Sequence, residues 1–197
     1  MKYKSCHLIE HGISINADSI KACCLSREFD KGQLIIEHKF ENGIIDFEHL
    51  FCVKRNQRTH QKNSRDLPAC EGCYNLRIED WDDDDYISYI NFDHWSYCNS
   101  NCIYCSVQRT RPKTNVNVLN SMKELIKSGK FKNTGEITFQ GGEPALLKEF
   151  DELLKLFFKE GCKIRIHSSG ILFNRTLRNG IKKGIASVVI SPDSASR

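Results

Sequence analysis

No apolar run in the 197 residues approaches the roughly 20 that a membrane-spanning helix needs, so no bilayer span is expected. The opening residues Met1, Lys2, Tyr3, Lys4, Ser5 and Cys6 lack the apolar stretch of a secretory signal, which points to the cytoplasm. Charge of one sign is scarcely in excess. Twenty-nine Lys and Arg against 25 Asp and Glu leave +4, too slight a bias to imply nucleic acid or a membrane surface as partner. Internal repeats and low-complexity tracts are also missing, which sets repeat architectures aside. What remains is a chain with 40% apolar residues, enough for the core of one ordinary domain or two small ones. Cysteine is plentiful: ten residues, at 6, 23, 24, 52, 70, 73, 98, 102, 105 and 162. A reducing compartment disfavours disulfides, and the clustering of these thiols points to metal.

The first eighty residues read differently from the rest. Gly12 to Ile15 and Ile20 to Cys23 flank a turn-forming cluster and predict a hairpin, and Leu34 to Glu37 a third strand. Asp46 is placed to cap a helix from Phe47 to about Arg58, with Phe47, Leu50 and Phe51 on one face. The basic stretch Lys54 to Arg65 reads as a solvated helix end and loop, and Asp82 to Asp85 as a linker. The boundary is therefore set between residues 80 and 81. From Tyr86 onward β and α segments alternate: strands at 86–92, 136–140, 163–167 and 187–191, helices at 116–128, 146–160 and 176–183. That order implies a parallel sheet with helical crossovers, an α/β fold.

Cys98, Cys102 and Cys105 fall within eight residues, directly after the C-terminal end of the first of these strands, where α/β sheets build their active sites. Structural zinc would want a fourth protein ligand nearby, whereas a four-iron cluster can be held by three thiolates with one iron open to a ligand. Cys-x3-Cys-x2-Cys, with the aromatic Tyr104 before the last cysteine, resembles the signature of the radical S-adenosylmethionine (radical SAM) enzymes. Strand two ends in Gly141-Gly142-Glu143, similar to the motif that holds the methionine amino group in that family. Two glycines let backbone approach a ligand closely, and a carboxylate supplies negative charge for an ammonium. Strand three ends in Ser168-Ser169-Gly170, where many relatives have Thr-Asn-Gly. Strand four ends in Ser191-Pro192-Asp193, resembling a Ser-x-Asp strand end that meets the cofactor's carboxylate or ribose. Each of these polar residues equally suits a helix cap.

The resemblance implies a [4Fe–4S] cluster on Cys98, Cys102 and Cys105, with S-adenosylmethionine held by Tyr104, Gly141, Gly142, Glu143, Ser169, Ser191 and Asp193. It also implies reductive cleavage to a 5'-deoxyadenosyl radical that abstracts hydrogen from a substrate. A low-potential donor such as a flavodoxin or ferredoxin would supply the electron, and the substrate would be a peptide or protein. The family's sheet is a partial (β/α)6 barrel. This chain ends at Arg197, just after the fourth strand, and is expected to be incomplete.

Cys6, then Cys23 or Cys24 on the far arm of the hairpin, then Cys70-Glu71-Gly72-Cys73, offer four further ligands. They resemble the SPASM and twitch extensions, which bind auxiliary iron–sulfur clusters, although those extensions usually follow the barrel and Ser19 stands where their turn commonly has Gly. Tetrahedral zinc on the same thiolates is the alternative. Strand alternation points Cys23 and Cys24 to opposite faces, so one of them serves. Cys52 and Cys162 read as small buried hydrophobes. Two other functions compete with the radical enzyme: an iron–sulfur electron-transfer protein and a zinc-binding interaction module. Neither needs a Gly-Gly-Glu turn beside the cysteines.

Overall fold

The computed structural model describes residues 2–17, 19–23, 35–36, 44–63, 70, 72–100, 102–103, 105, 117–172 and 174–191. Ile13 and Ile15, Ile90 and Phe92, Ile137 and Phe139, and Ile164 and Ile166 each stand two residues apart, so extended chain turns each pair to one side. All eight are buried. They lie on strands β2 (Gly12–Asn16), β6 (Tyr89–Asp93), β7 (Glu136–Phe139) and β8 (Lys163–Ser168), which run parallel with β9 (Ala186–Ile190) at one edge. Register aligns the pairs into rows: Ile13, Ile90, Ile137, Ile164 and Ala186 in one, and Ile15, Phe92, Phe139, Ile166 and Val188 in the next. The short strands β3 (Ile20–Lys21) and β4 (Ile35–Ile36) continue the sheet antiparallel beyond β2. Its order is β4-β3-β2-β6-β7-β8-β9, open at both edges among the described residues.

Helices α3 (Leu119–Lys127), α4 (Phe150–Lys159) and α5 (Arg175–Lys182) cover the apolar rows. On α4, Phe150, Leu153, Leu154 and Phe157 repeat at helical spacing and are all buried. Phe150 meets Phe139 edge-on at 5.2 Å between ring centres, and Phe92 stacks on Phe139 at 4.8 Å. The opposite side of the sheet carries the alternate residues Ser14, Asn91, Thr138 and Arg165, also in register. The architecture is thus the expected one, a mixed α/β fold with a parallel sheet that does not close into a barrel. None of the described helices is long and apolar enough to cross a membrane.

Three elements have no counterpart in the sequence expectations: β1 (Lys2–Ser5), α1 (His7–His11) and β5 (Arg77–Asp80), with β1 and β5 forming a separate antiparallel pair. The hairpin of β2 and β3 forms as predicted, and β2 joins β6 in parallel, so the first strands share the core of the main sheet. Helix α2 (Phe47–Lys62) starts on the expected Asp46 cap, whose carboxylate accepts the His49 N–H. Its second half is not solvated as predicted. Lys54 and Arg58 are buried, because α2 lies against α1 and β1. Nor is the acidic run 82–85 an unattached linker: Asp85 pairs with Arg55 and Arg58, Asp83 with Lys62, and Asp84 with Lys132. Cys52 is exposed rather than buried, since the inward positions of α2 are 50, 51, 54, 57, 58 and 61. Cys162 is buried as expected. The helix predicted from residue 146 begins at 150, because Pro144–Leu146 forms a tight 3-10 turn capped by Glu143.

Candidate functional site

Beyond β6 the chain continues as Asp93, His94, Trp95, Ser96 and Tyr97 to the first cysteine of the triplet, and the turn after β7 follows it step for step. Gln140 N–H donates to the Phe92 carbonyl (2.8 Å), Gly142 N–H to Trp95 (3.1 Å) and Glu143 N–H to Tyr97 (2.8 Å). Glycine is required on this path. Gly141 has φ +103°, and a Cβ there would lie 2.6 Å from Asp93 Oδ1; at Gly142 it would lie 2.1 Å from the Tyr97 carbonyl oxygen. The sequence expectation was that these glycines admit a ligand. Their contacts show that they admit the backbone that carries Cys98.

Glu143 is only 2% exposed. Its carboxylate accepts Ser168 Oγ–H (2.9 Å), Ser169 N–H (2.8 Å) and Ser169 Oγ–H (2.8 Å), with a longer contact to Ala145 N–H (3.4 Å). A buried carboxylate needs such donors. Ser169 Oγ also stands 3.3 Å from Asn99 Oδ1, between Cys98 and Cys102, so one hydroxyl touches both the Gly-Gly-Glu turn and the cysteine loop. Ser191 N–H donates to the Ser168 carbonyl at 3.1 Å and brings the end of β9 to the same place. Gly141, Gly142, Glu143, Ser169 and Ser191 therefore converge at the C-terminal ends of adjacent strands. Tyr104, Asp193 and Cys24 lie outside the described residues.

Sequence reasoning missed Ser168 and Asn99. Ser168 had a readable signal: it occupies the next inward place after Ile164 and Ile166, where a hydroxyl needs a buried partner. Asn99 had none, because its neighbour comes from a strand seventy residues away.

Cys98, Cys102 and Cys105 are free and half-exposed. Ser100 N–H points at Cys98 Sγ (3.4 Å), and Cys105 N–H donates to the Cys102 carbonyl (3.1 Å). Three unconsumed soft thiols at the strand ends fit an iron–sulfur cluster by donor chemistry. Among the described residues no three Cys, His, Asp or Glu side chains are drawn in to the reach of one ion, so the thiols share a loop without being collapsed around a centre.

The N-terminal thiols are brought together by two ladders. Ser5 pairs with Arg77, which sets Cys6 beside the turn of Cys70 to Leu76, where Cys73 N–H donates to Cys70 O (3.0 Å) and Leu76 N–H to Cys73 O (3.3 Å). Ser14 pairs with Lys21, and the same register puts Cys23 opposite Gly12, at the end of the helix that Cys6 begins. Cys6, Cys23 and Cys70 are buried and Cys73 is half-buried. Burial pushes the Cys6 thiol up, and the nearby Cys23 and Cys73 act in the same direction.

On the polar side of the sheet a cavity of about 290 Å³ is lined by Asn91, Thr138, Gln140, Arg165 and His167 among others. Arg165 is paired with Glu136 at 2.9 Å. Burial, with Arg165 beside it, holds His167 below its usual range.

The family model of the radical SAM superfamily matches residues 93–197, more than half of the chain. Among solved structures, the crystal structure of Streptococcus suis SuiB bound to precursor peptide SuiA is similar at a TM-score of 0.42 and 14% identity, covering 79% of this chain and 42% of that one. This chain thus spans less than half the length of that protein. No curated protein matches. With the matched interval beginning at Asp93 and containing the cysteine loop, the Gly-Gly-Glu turn and the strand ends that meet it, the chain belongs to the radical SAM superfamily.

Proposed function

We propose that this chain carries the cofactor-binding part of an enzyme that generates a 5'-deoxyadenosyl radical to abstract hydrogen from a substrate. The observation that carries this reading is the junction at Ser169, whose hydroxyl joins Glu143 to Asn99 and so ties the Gly-Gly-Glu turn to the cysteine loop. Cys98, Cys102 and Cys105 would hold the cluster. When bound, a [4Fe–4S] cluster and S-adenosylmethionine supply one-electron cleavage of the sulfonium. Glu143 provides negative charge for the methionine ammonium, and the Ser169 hydroxyl is the contact that an incoming ammonium competes with. Ser191, Tyr104 and Asp193 are proposed as the remaining cofactor contacts, and a flavodoxin or ferredoxin as electron donor. The trough lined by Asn91, Gln140 and His167 would orient a peptide or protein segment and keep water from the radical. Peptide is favoured because the N-terminal cysteines resemble extensions that accompany peptide modification.

Cys6, Cys23, Cys70 and Cys73 are proposed to hold a second centre, an auxiliary iron–sulfur cluster in preference to zinc. Support comes from the two ladders that converge on Cys6.

The test is anaerobic reconstitution with iron and sulfide. The reduced protein should show an electron paramagnetic signal that changes on addition of S-adenosylmethionine, and the change should vanish when Cys98, Cys102 and Cys105 are replaced by Ala. A response that survives the triple replacement overturns the assignment. Iron and sulfide should persist in that variant on the N-terminal cysteines; zinc alone would make that centre structural.

A further inference from the structure

Lys54 is 1% exposed, near the middle of α2. Its ammonium donates to three backbone carbonyls, Gly12 (2.7 Å), Ile9 (2.8 Å) and Leu8 (3.4 Å), at the C-terminal end of α1. Those carbonyls partly offset a buried cation but carry only partial charge. Among the described residues no carboxylate forms an ion pair with it. The carboxylate that bears on it, Glu10, is itself buried, accepts the Tyr3 hydroxyl at 3.0 Å, and is pushed up by burial. A lysine in such a place is disfavoured in its charged form, and burial lowers this one to about 7.

The same α1 segment is bracketed by thiols. Cys6 begins it, and Cys23 falls opposite Gly12, whose carbonyl takes the shortest of the three bonds. Both thiols lie close enough to Lys54 to stabilise its positive charge when ionised. Four thiolates around a divalent metal, or around a four-iron cluster, carry a net negative charge that apolar surroundings do not tolerate alone. Here a buried cation short of negative charge and a potential anion short of positive charge adjoin.

We propose that Lys54 is the built-in counter-charge of the N-terminal metal centre, its ammonium held by the α1 carbonyls so that it faces the charge of the Cys6, Cys23, Cys70 and Cys73 thiolates. This rests on the reading of those four cysteines as one site. Lys54 is a positioning residue in this role: it sets how tightly the centre is held and, for an iron–sulfur cluster, how readily it is reduced, without itself being a ligand.

The probe is Co²⁺, added anaerobically to the full chain carrying Cys98→Ala, Cys102→Ala and Cys105→Ala. Thiolate coordination is read from its charge-transfer and tetrahedral d–d bands. Lys54→Gln keeps a donor for the carbonyls but removes the charge, and is expected to weaken Co²⁺ binding by roughly ten- to hundredfold, the scale of one unit charge a few ångströms away in a protein interior. Lys54→Arg should recover most of the loss, which a merely structural role would not require. With iron and sulfide in place of cobalt, Lys54→Gln should move the N-terminal cluster to a lower reduction potential. Absence of the thiolate bands in the Lys54 parent strikes the four-cysteine site itself. Bands and affinity equal to the parent in Lys54→Gln overturn only the counter-charge. If Lys54→Gln does not fold, ¹³C-lysine labelling of the parent decides: the signal of its buried lysine should shift paramagnetically on Co²⁺ loading, and an unmoved signal overturns the proposal.

Discussion

Replacing Gly142 by Ala adds one methyl group where the turn after β7 runs against the segment leading to Cys98. That Cβ would stand 2.1 Å from the Tyr97 carbonyl oxygen and 2.9 Å from Trp95 Cδ1. Non-bonded atoms settle at about 3.5 Å or more, so the two backbones must separate by over roughly 1 Å. Separation breaks the bonds Gly142 N–H to Trp95 O and Glu143 N–H to Tyr97 O, each worth about 1 kcal/mol, and adds an overpacking cost of about 1–3 kcal/mol. A loss of about 3–5 kcal/mol is expected, measured as equilibrium unfolding in urea of the cluster-free protein. Gly129→Ala is the control: its φ is +70° but nothing lies within 4 Å of the added methyl, so about 1 kcal/mol is expected there. Because Tyr97 precedes Cys98, Gly142→Ala should also retain less iron after reconstitution. If Gly142→Ala unfolds at the same urea concentration as the control, Gly142 is not a packing glycine and its role is left to the ligand.

Glu143→Gln is expected to lower S-adenosylmethionine affinity by about one to two orders of magnitude, since a charge-assisted hydrogen bond is worth roughly 1.5–3 kcal/mol; calorimetry on cluster-replete protein checks it, and an unchanged affinity removes Glu143 from the cofactor contacts. His11 is stacked on Tyr86 at 3.8 Å between ring centres, and burial lowers it to about 4 against the pull of Asp82. Neutral in the fold and protonated in the unfolded chain, it contributes stability that is full above about pH 6.5 and is lost as pH falls through 6.5 towards 4. Its replacement by Gln should flatten the stability profile in that window, and a slope equal to the parent's would contradict this. Iodoacetamide followed by mass spectrometry should label exposed Cys52 readily and spare Cys162, which is buried and pushed up to about 12; the reverse order would contradict the burial of the two.

The sequence alone determined what local periodicity and short spacing encode. Alternating Ile and Phe at 90, 92, 137, 139, 164 and 166 specify strands buried on one face, and the spacing of Phe150, Leu153, Leu154 and Phe157 specifies the helix over them. The triplet and the Gly-Gly-Glu turn were legible for the same reason, since each lies within a few consecutive residues. Packing decided the rest. That β2 stands beside β6, that Lys54 and Arg58 turn inward, and that Asp83 to Asp85 are held by α2 and Lys132 depend on which elements meet, which helical or charge patterns in one segment do not contain. The two glycines are the sharpest case. Their identity suggested close approach of something to the backbone, and only the path of residues 93–97 across the turn showed that the visitor is the chain's own cysteine-bearing segment. Likewise the Glu143 charge was expected, but its capture by Ser168 and Ser169 arises from the parallel register that places the end of β8 beside the end of β7.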